Sequence, residues 1–206
     1  EAIEKGGKAK VVMYEGITPG AMDYSAVIQK LSKEKADVLV FGGYHPEASK
    51  LLSQMNKRKI KVAFIGPDGI KGDGFLKIAG KDAEGVYATG PMDVSKYPLN
   101  AKVREEYKAK YGKDAVIGDV TQAGYLGPWL WKAAVEKAGS FDVDKVVAAS
   151  PGIELKTAPE GYVKVHQNHH LWSKSRIAMG NKDGTFKVVA ESPNLIEPDP
   201  FPKGYQ

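Results

Sequence analysis

The chain has 206 residues, enough for one large or two small domains, with 42% hydrophobic residues and a formal net charge of +5 from 30 basic and 25 acidic side chains. It has no cysteine, which excludes disulfides, thiolate metal sites and cysteine nucleophiles together. No apolar run approaches bilayer length, and the densest basic cluster, Lys57-Arg58-Lys59 with Lys61, reads as the solvated end of a helix and not as a nucleic-acid surface.

Glu1 to Lys5 followed by Gly6-Gly7 has the form of a last helical turn and its glycine stop. One turn cannot stay helical alone in water, so the chain is expected to begin inside an element, with any signal peptide lying ahead of it. Residues 9–14 form a β-branched run that predicts a strand, and Thr18-Pro19-Gly20 predicts a turn. A helix capped by Asp23 or Ser25 follows, with Val27, Ile28 and Leu31 on its buried face and an end near Lys35. The run Val38-Leu39-Val40-Phe41 predicts a strand that empties into Gly42-Gly43-Tyr44-His45-Pro46-Glu47. Residues 46–57 have helical spacing, with Leu51, Leu52 and Met55 on one stripe. A second strand, Val62-Ala63-Phe64-Ile65, empties into Gly66-Pro67-Asp68-Gly69. A short helix over 73–79 and a strand over 85–89 come next. Strands alternating with helices at this spacing predict an α/β fold with a parallel sheet covered on both faces.

Beyond Pro91 the pattern becomes helical. Residues 99–111 predict a charged amphipathic helix ending at Gly112, and residues 121–138 a longer, more apolar one ending at Gly139, bent by Pro128 or holding it near the first turn. A third helix, capped by Asp142, ends near Ser150-Pro151-Gly152. Residues 162–165, 171–179 and 185–189 read as strands, with Asn181-Lys182-Asp183-Gly184 as a hairpin turn. The proline-rich tail, 193–206, is expected to run extended over the surface.

Gly16-Ile17-Thr18-Pro19-Gly20 with Asp23-Tyr24-Ser25, Ala36-Asp37-Val38, Gly42 to Glu47, Gly66 to Gly69 and Ala83-Glu84-Gly85-Val86 resemble the second lobe of a type I periplasmic substrate-binding protein of ABC importers, in the branched-chain amino acid branch. Leu130-Trp131-Lys132-Ala133-Ala134-Val135-Glu136-Lys137-Ala138-Gly139, Ala158-Pro159-Glu160-Gly161, Asn168-His169-His170 and Pro198-Asp199-Pro200 look more like the urea and short-amide binders of the same family. The resemblance implies a doubly wound fold with lobe two essentially complete and lobe one partial. Its expected division is residues 1–112 as the lobe-two domain, 113–158 as helices packing on lobe one, and 159–206 as return crossover, hairpin and tail. It further implies a non-catalytic protein without cofactor or metal, periplasmic or otherwise extracytoplasmic, not embedded in the membrane, that closes on a small polar ligand and presents it to a membrane permease. The favoured ligand is a branched-chain or related amino acid. Urea or a short amide is the alternative, and a sensor or regulator on the same fold is the rival of another class. A chain lacking most of lobe one is also expected to pair with a second copy over the apolar surface that lobe one would hide.

A parallel β-α-β unit puts both strand ends on one edge, so Tyr44 and Asp68 are expected to share a crevice. By the resemblance, the ligand contacts are Tyr44 and Asp68, with His45, Gly43 and Gly69 in the same loops. Tyr44 is the aromatic against the ligand, and Asp68 accepts from its ammonium, one methylene shorter than the family's usual glutamate. From the residues alone, Asp68 in Pro67-Asp68-Gly69 reads first as a turn residue bonding its own backbone, Tyr44 as a half-buried packing residue, and Glu47 as an early-turn acid that stabilises its helix. His166, His169 and His170 have no carboxylate at ligand spacing and are read as structural. Neither a nucleophile elbow nor a dinucleotide-binding glycine motif occurs.

Overall fold

The structure is a computed structural model that describes residues 2–93 and 95–199. In chain order its elements are α1 (Ala2–Lys5), α2 (Ser25–Glu34), β1 (Val38–Val40), α3 (His45–Lys57), β2 (Ala63–Gly66), a 3-10 turn (Asp68–Ile70), α4 (Asp73–Ala79), a 3-10 turn (Gly80–Ala83) and β3 (Tyr87–Gly90). There follow α5 (Pro98–Tyr111), α6 (Asp119–Ala138), α7 (Val143–Ala149), β4 (Glu154–Ala158), β5 (Gly161–Val165), β6 (Leu171–Trp172), β7 (Arg176–Gly180) and β8 (Phe186–Glu191).

The main sheet has the order β1-β2-β3-β7-β8. Its first three strands are parallel, with Leu39 opposite Phe64 and Ile65 opposite Tyr87, and the β7–β8 hairpin extends it antiparallel, with Ala88 opposite Ala178. The sheet is therefore mixed, with a parallel core of three strands. Helix α3 forms because Pro46 suits its first turn and Glu47 the positive end of its dipole, while Leu51, Leu52 and Met55 fall on one buried face. Each of those side chains contributes about 1.5–3 kcal/mol by leaving water. They join Ile28, Leu31, Phe64, Phe75 and Val86 in a core that clamps α2, α3 and α4 to the sheet.

A second sheet, β4-β5-β6, is antiparallel and packs under α6 and α7. Ala134, Val146, Ile153 and Val165 form one cluster there, and Leu126, Ala158 and Val163 another. The outer face of these helices leaves Trp129, Phe141 and Val143 exposed.

Two predicted strands differ from the structure. Residues 9–14 form no ladder, because a β-branched run becomes a strand only by pairing; the Val11 N–H is taken by the Glu4 side chain at 3.2 Å, and Met13 packs against the core from an irregular segment. The single strand expected over 171–179 is two, since Ser173-Lys174-Ser175 carries the chain from the small sheet to the main one. Helix α6 runs on through Pro128. The Asp142 cap forms as expected, accepting from the Lys145 N–H at 3.1 Å. Within the tail, Ile196 donates to the Ser173 carbonyl at 2.8 Å, strapping 193–199 along the crossover; the rest of the expected extended tail, 200–206, lies outside the described residues.

Candidate functional site

The parallel strands β1, β2 and β3 end on one edge, and the loops that leave them build the site. Gly43 and Tyr44 leave β1; Tyr44 is extended at the N-cap of α3 and its side chain is 69% exposed. Pro67, Asp68 and Gly69 leave β2. The two loops touch, since a methyl group at position 69 would lie 2.8 Å from the Gly43 carbonyl oxygen and 2.9 Å from Cδ1 of Tyr44. Glycine at 69 is what permits this approach.

Asp68 opens a cleft of about 440 Å³, with Thr89, Gly90 and Pro91 from the end of β3 on one side and Ser173 and Ser175 of the crossover on the other. The turn that carries Asp68 is closed by the backbone, through Ile70 N–H to Pro67 O at 3.1 Å and Lys71 N–H to Asp68 O at 3.0 Å. Its carboxylate is exposed and forms no hydrogen bond or ion pair among the described residues. The side chain is thus not consumed by turn chemistry.

His45 is not brought to this cleft. Its ring lies over the first turn of α4, where a methyl group on Gly74 would meet Nε2 at 3.2 Å and Val116 at 3.3 Å. Glu47 stays with the helix start, accepting from the Gly20 N–H at 3.0 Å, a bond that holds its carboxyl below the usual carboxylate range. His166 pairs with Glu197 at 3.1 Å and meets Trp172 edge-on, while His169 bonds Ser150 at 2.8 Å. Among the described residues no group of three His, Asp or Glu side chains is arranged to hold a metal.

Two charged networks border the cleft without any local sequence signal. Lys71 and Asp119, 6% and 7% exposed, form an ion pair at 2.9 Å behind Gly90. Burial pushes the Asp119 carboxyl up, and Lys71 pulls it partly back. Arg176, 1% exposed, opens β7; it donates to Glu191 at 2.7 Å, to the Tyr97 hydroxyl at 2.8 Å and to the Pro91 carbonyl, tying the exit of β3 to the crossover. Glu191 also accepts from Lys96 and Lys174, and these hydrogen bonds, led by that of Lys174, pull its carboxyl down to about 2. Glu160, in the turn between β4 and β5, is buried and accepts from the Ser173 hydroxyl; burial pushes its carboxyl up. Lys71 and Asp119 are 48 positions apart, and Arg176 and Tyr97 are 79 apart, so only the folded chain brings them together.

The arrangement leaves an exposed carboxylate at the cleft, free to accept hydrogen bonds. No helix among the described residues is long and apolar enough to cross a membrane. The chain is 39% identical over 106 residues to the Leu/Ile/Val-binding protein of Escherichia coli K12, a match that covers 52% of this chain and 29% of that protein. It is 34% identical over 140 residues to the leucine-, isoleucine-, valine-, threonine- and alanine-binding protein of Pseudomonas aeruginosa, covering 68% of this chain and 37% of that one. Among solved structures, a leucine-binding protein of Thermotoga maritima superposes with a TM-score of 0.75 at 22% identity, over 85% of this chain and 50% of that one. A solute-binding protein of an ABC transporter from R. palustris, in complex with benzoate, gives 0.81 at 16% identity, over 95% and 54%. At these identities the structures show the fold alone, and the chain spans about half of their length. These relatives are binding proteins, not enzymes. The periplasmic binding protein family model matches residues 1–185, and the chain belongs to that family.

Proposed function

We propose that the chain supplies one wall of a ligand clamp in the solute-binding component of an ABC importer, working outside the cytoplasmic membrane and taking a branched-chain or related amino acid. The observation that carries this reading is the free Asp68 carboxylate at the mouth of the cleft, on a turn packed against the Tyr44 loop. A carboxylate enclosed by closure is costly unless paired, and a ligand ammonium provides that pairing through a charge-assisted hydrogen bond. Urea and short amides carry no charge to offset Asp68. The curated relatives named above, which bind leucine, isoleucine and valine, support the same ligand class.

In this reading Tyr44 covers the ligand's apolar part, Gly43 and Gly69 let the two loops close together, and His45 serves the helix packing behind them. In the same reading 1–112 is the lobe-two unit, 113–158 supplies helices for lobe one, and 159–206 is the return. A ligand that bridges both lobes only when they are shut shifts the population toward the closed form, which is the form a permease would receive. Calorimetric titration with leucine, valine, urea and acetamide tests the reading. Heat from leucine and valine with none from the amides is the expected result, and binding of urea or acetamide alone would overturn it.

A further inference from the structure

The Lys71–Asp119 pair occupies a position that stability alone does not explain. Lys71 ends the turn that carries Asp68, and Asp119 is the first residue of α6. Lys71 Nζ lies 2.9 Å from Oδ2 and 3.2 Å from Oδ1 of Asp119, and it also donates to the Met92 carbonyl. The Met92 N–H donates back to Asp119 Oδ2 at 3.2 Å. The pair rests on Gly90, where a methyl group would fall 2.3 Å from Asp119 Oδ2 and 3.0 Å from Cδ of Lys71. Close by, Gly72 and Gly118 form a backbone bridge, and the Asp73 N–H donates to Ile117 O at 3.3 Å.

Three chain segments therefore meet at one ion pair: the turn after β2, the exit of β3, and the start of α6. Asp68 and Gly90 face the ligand cleft. Lys71, Met92 and Asp119 face a separate cavity of about 510 Å³. The pair thus lines the second and lies against Gly90, which lines the first. A buried ion pair is often replaced by apolar side chains without loss of stability, whereas removing one partner leaves a costly lone charge. Its presence here calls for a role that apolar packing would not fill.

We propose that Lys71 and Asp119 are positioning residues of the ligand cleft, fixing the Asp68 turn and the Gly90–Pro91 exit against α6 at the spacing the ligand spans. The proposal rests on the amino-acid reading above and adds to it a pair that does not itself touch the ligand. The two hydrogen bonds with Met92 set the backbone at 90–92, and the salt bridge sets the turn at 68–71. Lys71 also neutralises Asp119, so the negative charge presented by this wall is that of Asp68.

The test compares the full chain with a K71M/D119L double variant, which replaces the pair by apolar groups, and with D119N, which keeps the side-chain shape and an acceptor for Met92. Three readouts are taken on each: thermal melting, leucine titration, and amide hydrogen exchange at Gly69, Gly90 and Met92. The expected result is leucine binding at least tenfold weaker and exchange at those amides at least tenfold faster in both variants, with a melting temperature close to that of the parent in the double variant and lower in D119N, which leaves Lys71 a lone buried charge. Parent-like affinity and parent-like exchange in a folded variant would overturn the proposal. If the double variant fails to fold, D119N decides by the same criteria. If the parent itself binds no leucine, the ligand reading fails separately, and the positioning role stands or falls on the exchange rates alone.

Discussion

Replacing Asp68 by Asn removes one negative charge and leaves a side chain of the same shape at the cleft mouth. The carboxylate is exposed and has no partner among the described residues, so the substitution breaks no bond among them, and the melting temperature is expected to stay within the error of the measurement. Binding is where the loss appears. A hydrogen bond to a charged group contributes about 1.5–3 kcal/mol, and because the cleft is wide and Asp68 solvated before closure, the lower half of that range applies. At 1.4 kcal/mol per factor of ten, leucine affinity should fall about ten- to fortyfold. Isothermal titration of parent and D68N with leucine measures this, and the parent's affinity should weaken with added salt more than the variant's does. A loss of less than twofold, with the melting temperature unchanged, would refute the assignment of Asp68 to a ligand ammonium.

Three further outcomes follow from the geometry. Gly69→Ala places a methyl group 2.8 Å from the Gly43 carbonyl and 2.9 Å from the Tyr44 ring; overpacking of this kind costs about 1–3 kcal/mol, read as a lower urea midpoint together with weaker leucine binding. Phe75, buried and stacked on Phe186 at 6.1 Å, should cost about 3–5 kcal/mol when cut to Ala, visible in the same denaturation series, with little change in affinity for the protein that remains folded. The Glu191 carboxyl is held at about 2 when folded against an ordinary 4.5, so its contribution to stability is complete above pH 4.5 and is lost as pH falls toward 2. Acid titration of stability should therefore be shallower between pH 4.5 and 2 in Glu191→Gln than in the parent, and equal slopes would show that Glu191 is not held by Lys96, Lys174 and Arg176.

The parts legible in the sequence were those written in short-range periodicity. The α3 stripe of Leu51, Leu52 and Met55, the Asp142 cap and the turn at Asn181 to Gly184 each depend on residues within one or two turns of each other, and each forms where expected. Strand β4 went unread because Glu154-Leu155-Lys156-Thr157-Ala158 alternates too weakly to stand out before its partner β5 is known. Residues 9–14 failed in the opposite sense: high β propensity is realised only across a ladder, and among the described residues they form none. The run 171–179 looked continuous because a crossover between sheets keeps extended backbone, and only the tertiary pairing shows that Trp172 and Arg176 belong to different sheets.

The site divides along the same line. Tyr44 and Asp68 could be placed on one edge because β-α-β connections are parallel and right-handed; Gly69 does lie against residues 43–44, but the cleft that Asp68 opens is lined by neither Gly43 nor Tyr44. His45 shares their loop, but as the first residue of α3 its ring is turned toward α4, a direction that depends on the helix start and not on the motif. Nothing in the local sequence sets Lys71 and Arg176 apart among 30 basic residues. Their burial depends on partners supplied by α6, β8 and Tyr97 just before α5, which no local pattern announces.

The central claim is that the ends of β1, β2 and β3 form the ligand-gripping wall. Titration of the isotopically labelled protein with leucine, followed residue by residue through backbone amide resonances, tests it most directly. Shifts centred on residues 42–45, 67–70 and 89–91, saturating together, are the predicted result. Shifts centred instead on the cavity walled by Asn181, Thr185 and Lys187, with the Tyr44 and Asp68 loops unmoved, would contradict the account.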